Sequence, residues 1–196
     1  MTIDILLFPD FELLDAAGPI EVFSRTPEEP FSLRFVSMDG GPMKSAQGLT
    51  VETEPLGNIS SEDVLFLPGG PGTRPLAKDE SFISFLRKAA ENAKYCLTVC
   101  TGSAVLSKTG HLDGRKATSN KRSFEWVKSC KEKVLWQGKA RWVRDGKYYT
   151  SSGISAGTDM ALGFVSDLYG REAAEAAAKR MEYIWNDDSV NDPFAK

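Results

Sequence analysis

The chain has 196 residues, of which 41% are hydrophobic and 26% charged, enough length to bury a sizeable core in one domain over residues 1–196. The formal net charge of −3, with no basic block, predicts no nucleic-acid partner and no anionic membrane surface. Every long apolar run is strand-length, too short to span a bilayer.

In chain order, Ile3–Phe8 is a near-continuous apolar run, the pattern of a buried parallel strand rather than of a signal peptide, since no basic region precedes it. Gly18–Ser24 predicts a helix opened by Pro19. Leu33–Met38 and Val64–Pro68 read as further strands. Ser81–Ala93 carries Phe82, Phe85 and Leu86 at helical spacing. Cys96–Val99 is a strand, followed at once by a helix from Thr101 to about Gly110. Asn120–Ser129 is a helical candidate. Ala140–Thr150 predicts a hairpin turning on Asp145-Gly146. Two helices follow, near Thr158–Leu168 and Glu172–Trp185, separated by Gly170. Residues 186–196 read as a loosely held C-terminal tail. This alternation predicts a doubly wound α/β fold, a mostly parallel sheet with helices on both faces and one small β-hairpin.

In such folds the working crevice lies outside the carboxyl ends of the strands. The loop after the first strand offers Asp10, Glu12 and Asp15; P-G-G-P-G at 68–72 offers exposed backbone N–H groups; the strand ending at Val99 presents Cys100. A cysteine at a sharp strand-to-helix turn has two readings, an inert core residue or an elbow nucleophile. The adjoining helix start would lower its pKa toward a thiolate, and the same amides with those of Gly69 and Gly70 would cradle developing negative charge. Cys96, mid-strand, and Cys130, after a helix, read as packing. Four strand residues separate Cys96 from Cys100 by roughly 13 Å, too far for a disulfide. Three cysteines fit a reducing, cytoplasmic compartment. With one histidine and no C-x-x-C pair, no metal site and no cofactor are expected. That histidine, His111, lies beyond the helix, about 15 Å along the chain from Cys100. The acid–base partner is therefore a carboxyl, and Asp15, followed by a plausible helix start, is better placed than Asp10 or Glu12.

Five stretches in this order, L-L-F-P-D-F-E-L-L-D-A-A-G-P-I-E-V-F, F-L-P-G-G-P-G, T-V-C-T-G-S-A-V-L, L-D-G-R-K-A-T and S-S-G-I-S-A-G-T-D-M-A-L, resemble the ThiJ/PfpI superfamily, flavodoxin-like relatives of class I glutamine amidotransferases. The resemblance runs from Ile5 to about Tyr183 and is nearest to the isocyanide (isonitrile) hydratases and to the amidase-like domain fused to some transcription regulators. It implies Cys100 as nucleophile, Asp15 as its carboxyl partner, Thr101, Gly69 and Gly70 around the bound group, and Gly153, Ile154 and Ser155 lining the pocket. It implies a lyase that hydrates a small isocyanide to an N-substituted formamide, and a homodimer. Two other functions share the elbow cysteine: a redox or stress-response protein whose cysteine is oxidised, and a glyoxalase or deglycase acting on dicarbonyls. The sequence departs at Asn120, where many relatives carry a histidine; Asn exchanges no proton near neutral pH.

Overall fold

The computed structural model describes residues 1–27 and 31–195. The elements run β1 (Thr2–Leu6), α1 (Leu13–Arg25), β2 (Ser32–Ser37), β3 (Gly41–Lys44), β4 (Thr50–Pro55), β5 (Val64–Leu67), α2 (Thr73–Leu76), α3 (Glu80–Asn92) and β6 (Tyr95–Thr98). They continue with α4 (Gly102–Lys108), β7 (Lys116–Ala117), α5 (Phe124–Cys130), β8 (Leu135–Trp136), β9 (Trp142–Asp145), β10 (Tyr148–Ser151), α6 (Ala156–Tyr169) and α7 (Arg171–Arg180). The main sheet has the order β3-β4-β2-β1-β5-β6-β10-β9. From β4 to β10 every neighbouring pair is parallel, and β3 and β9 close the two edges antiparallel. This is the predicted doubly wound α/β architecture: α1, α6 and α7 pack together, while α4 gathers α2, α3 and α5. Among the described residues no helix is long and apolar enough to cross a membrane.

The central strands are apolar on both sides because both faces are covered; all four residues of β5 are buried. Rings bind the first helix layer to the sheet. Phe23 of α1 meets Phe66 of β5 and Phe164 of α6, and Phe164 in turn meets Tyr95 and Tyr149, with centroids 5.1 to 6.3 Å apart. Such edge-on pairs add about 1 kcal/mol each beyond their area burial.

Several boundaries differ from expectation, each for a local reason. Helix α1 starts six residues before Pro19, which lies inside it. The chain turns at Asp10, φ 59°, and the Glu12 N–H donates to the Gly69 carbonyl, so the helix begins there. Its buried stripe, Asp15, Ala16, Pro19, Val22 and Phe23, has helical period and carries a carboxyl among apolar neighbours. Helix α5 starts later than expected because Asn120 Oδ1 accepts the Ser123 N–H and makes residues 120–123 a turn. The hairpin turns on Gly146-Lys147, not Asp145-Gly146: Asp145 still pairs with Tyr148, and Gly146 takes the positive φ. The β3–β4 hairpin, whose strands are short and only half-buried, had no apolar signature.

The segment after α7 is not loosely held. Ser189 O accepts from the Arg141 and Trp142 N–H groups, and the Asp192 N–H donates to Lys139 O. Asp159, fully buried on α6, accepts from Tyr183 Oη and the Asn186 N–H. Polar composition concealed this because the anchors are backbone groups and buried charges, not apolar side chains.

Candidate active site

The order of strands reverses between β1 and β5, since the chain leaves β1 toward β2 on one side and returns to build β5 on the other. Their carboxyl ends, with that of β6, converge on one crevice, as the topology requires. The loop after β1 brings Asp15, that after β5 brings Gly69 and Gly70, and that after β6 brings Cys100.

Cys100 has φ 56°, the left-handed region that a side chain of this type rarely adopts. Such a conformation costs on the order of 1–3 kcal/mol and persists only where neighbours enforce it. Here its N–H donates to the Ser151 and Ser152 carbonyls, and its carbonyl accepts from Ser103 Oγ at 3.1 Å and Ser119 Oγ at 2.7 Å. The turn is tight because Gly102 packs against the Leu67 and Pro68 carbonyls, where a Cβ would approach to 2.7 Å. The strand-to-helix elbow is thus held on both sides of the cysteine.

Asp15 is fully buried beside Cys100: a Cβ on Gly69 would lie 2.8 Å from both Asp15 Oδ2 and Cys100 Cβ. Its Oδ2 accepts the Gly69 N–H at 3.0 Å, while Oδ1 has no partner. Burial pushes the carboxyl up to about 8, against the opposing pull of the Gly69 and Cys100 hydrogen bonds. Asp10 is exposed, and Glu12 is tied through Oε1 to Gln47 Nε2 at 2.9 Å. Of the three acids in this loop, Asp15 is the one placed against the thiol.

The expected depression of the thiol pKa is overturned. Cys100 is only 6% exposed; burial, then the charge of Asp15, push it upward, and the hydrogen bonds from the Thr101 N–H and the Asn120 side chain only partly offset them. The thiol and carboxyl form one coupled pair whose protons belong to both. Gly69 and Gly70 also differ in use from expectation. The Gly69 N–H holds Asp15, and the Gly70 N–H donates to Thr101 Oγ1 at 3.1 Å, which also accepts from Thr73 Oγ1. The donors that reach the sulfur are the Thr101 N–H and Asn120.

Asn120 is the residue whose role the sequence left blank. Its Oδ1 is fixed by the Ser123 N–H at 3.0 Å, so its Nδ2 faces Cys100 as a donor. Gly153 completes the enclosure: a Cβ there would lie 2.7 Å from Cys100 Sγ and would collide with Asn120 Nδ2. Replacing Asn120 with Asp puts a second carboxylate on the thiol and should slow Cys100 alkylation at neutral pH by about tenfold, read by mass spectrometry of the Cys100 peptide. An unchanged rate would mean that Asn120 does not govern the sulfur.

Asn120 and Gly153 also line a cleft of about 550 Å³, together with Glu12, Leu14, Lys121, Arg122, Ile154, Ser155 and Phe194. Ile154 and Ser155 thus line the same cleft as Asn120 and Gly153. His111 does not: it lies beyond the far end of α4, its Nε2 against Arg87 O at 2.9 Å and its ring stacked on Tyr148. Cys96 is buried with its thiol toward Ala90 O, and Cys130 is half-buried; burial raises the pKa of both. Among the described residues no group of three or more His, Cys, Asp or Glu side chains could hold a metal ion.

Residues 1–167 match the DJ-1/PfpI family. The chain belongs to that family. It is 35% identical to the isonitrile hydratase of Pseudomonas putida over 184 residues, 93% of this chain and 78% of that protein. It is 29% identical to the HTH-type transcriptional regulator CdhR of Pseudomonas aeruginosa, over 90% of this chain but only 53% of the regulator. Among solved structures it superposes on a ThiJ/PfpI family protein from Pseudomonas syringae with a TM-score of 0.78 and 29% identity, covering 93% of this chain and 74% of that one. Within the DJ-1/PfpI family, then, enzymes and regulators share this domain, and the site must choose between them.

Proposed function

We propose that this DJ-1/PfpI protein is a cysteine-dependent hydratase of small isocyanides. The observation that carries the reading is the buried Asp15 carboxyl beside Cys100, with Asn120 Nδ2 close to the sulfur on the other side. The identity to an isonitrile hydratase supports the same chemistry.

The terminal carbon of an isocyanide is divalent, with a lone pair that takes a proton and a C–N π* orbital that takes a nucleophile, so both add to that one atom. In the singly protonated pair, the Asp15 carboxylate takes the thiol proton as the Cys100 sulfur adds to that carbon and then passes it to the same carbon, giving a thioimidate and the free carboxylate. Asp15 then takes a proton from water as the oxygen adds to the same carbon, and returns it to the nitrogen. The tetrahedral adduct collapses: its hydroxyl proton goes to Asp15, the C–S bond breaks, and an N-substituted formamide leaves with the original pair restored. One water is consumed per turnover. The Thr101 N–H and the Asn120 amide hydrogen-bond the sulfur and favour its charged form before attack and after release.

One feature disfavours another use of an elbow cysteine. Dicarbonyl chemistry of the glyoxalase type draws on a nearby histidine, and the position facing the thiol holds Asn120. The test is direct. The protein incubated with an aryl isocyanide should yield the corresponding N-aryl formamide, and Cys100→Ala should yield none above the uncatalysed rate. Formamide production that survives Cys100→Ala, or none from the wild-type chain, would overturn the proposal.

A further inference from the structure

The segment after α7 returns to the mouth of the cleft, and how it is held there is unusual. Asp192 is buried, with its carboxylate 3.9 Å from the guanidinium of Arg141, itself buried beside Asp159. Asp192 Oδ1 accepts the Phe194 N–H at 2.8 Å and the Asp192 carbonyl accepts the Ala195 N–H, which closes a tight turn. That turn projects Phe194 into the lining of the cleft, where it is 68% exposed. A buried ion pair is costly to assemble and does not justify itself as stability alone. Its consequence here is to fix the backbone that carries an aromatic side chain at the cleft.

The ring has company. Leu14, 49% exposed, and Ile154, 39% exposed, line the same mouth, from α1 and from the loop before α6. Of the charged groups around them, Glu12 is engaged with Gln47 and the Lys121 ammonium with Thr118 Oγ1 and the Ala140 carbonyl, while Arg122 is exposed. Lys121 is also drawn electrostatically to Asp192, so the cleft wall and the returning segment are held to one another. Three apolar side chains from three separate parts of the chain thus line the cleft that Asn120 and Gly153, the neighbours of Cys100 Sγ, also line.

We infer that Phe194, held by the Asp192–Arg141 tie, is a specificity-determining residue that selects substrates bearing a bulky apolar group on the reacting function. This rests on the hydratase reading for the identity of that function, but not for access to Cys100. The nitrogen substituent of the isocyanide would lie against Leu14, Ile154 and Phe194, while its terminal carbon reaches the sulfur.

Two measurements on the full chain test it. In the first, kcat/KM for cyclohexyl isocyanide relative to methyl isocyanide should fall about five- to tenfold in Phe194→Ala, through KM rather than kcat, the loss expected for one aromatic contact. In the second, alkylation of Cys100 by N-benzyl iodoacetamide relative to iodoacetamide, followed on the Cys100 peptide, should fall by a similar factor. Asp192→Asn, which releases the tie without removing the ring, should move both ratios the same way, with its folding checked by thermal melting. Unchanged ratios in Phe194→Ala overturn the inference whether or not Asp192→Asn folds. A fall in the alkylation ratio in a protein that hydrates no isocyanide sinks the hydratase reading and leaves this inference standing. Turnover with both ratios unchanged does the reverse.

Discussion

Replacing Asp15 with Asn should lower kcat/KM for isocyanide hydration by about 10²- to 10⁴-fold, the range for removing a positioned acid–base group. Glu12→Gln, which alters an acid already bound to Gln47, should leave the rate near that of the wild type. The pH dependence gives a sharper test. With Asp15 raised to about 8 and Cys100 raised further, the pair is doubly protonated at low pH. The attacking form has lost one of those protons. The rate should therefore rise with pH, with an apparent midpoint near 8 that belongs to the pair rather than to either residue. In Asp15→Asn the shared proton is gone, so the limb near 8 should vanish and leave only the thiol's own ionisation. A rising limb near 8 that persists in Asp15→Asn would assign it to another group. Equal damage from Asp15→Asn and Glu12→Gln would mean that the acid has been misplaced.

The same residues show what a sequence can and cannot disclose. Strand–helix alternation exposed the doubly wound sheet because buried parallel strands are apolar on both sides, and L-T-V-C-T-G-S could be read as an elbow because a strand stops and small residues start without a linker. Asp15 was legible as the better-placed carboxyl, and the period of α1 shows why: 15, 16, 19, 22 and 23 lie on one buried stripe. Taking Pro19 as a helix start hid that stripe. The environment of the thiol was not legible. A helix start argues for a lowered pKa, but whether it prevails depends on burial and on a carboxyl brought from eighty-five residues away, and neither has a local signature. Asn120 stood out only as a departure; its donor role follows from a turn that fixes one end of its amide. Phe194 lies in a polar segment whose anchors, Arg141, Asp159 and Asp192, are far apart in sequence and meet only in the folded chain.

Burying Asp15 should also cost stability, and the cost has a definite pH window. Its pKa is about 8 when folded against 3.8 as a free side chain. Between those values the folded chain holds a proton that the unfolded chain releases. The folded state thus binds more protons, and stability falls as pH rises through the window. Each pKa unit of difference is 1.36 kcal/mol, so the full effect is on the order of 5 kcal/mol by pH 8 and absent below pH 4. Asn at this position can still accept the Gly69 N–H and carries no charge to desolvate. Asp15→Asn should therefore be the more stable protein by several kcal/mol in urea unfolding at pH 8, with the difference shrinking toward zero near pH 4. Comparing the two proteins at each pH removes the contributions of Asp4 and Asp159, whose carboxyl pKa values burial also raises. A difference that does not vary with pH would show that the charge on Asp15 is not what strains the site. A difference that grows with pH would tie the loss of turnover and the gain in stability to the same buried carboxyl, whose Oδ1 has no partner.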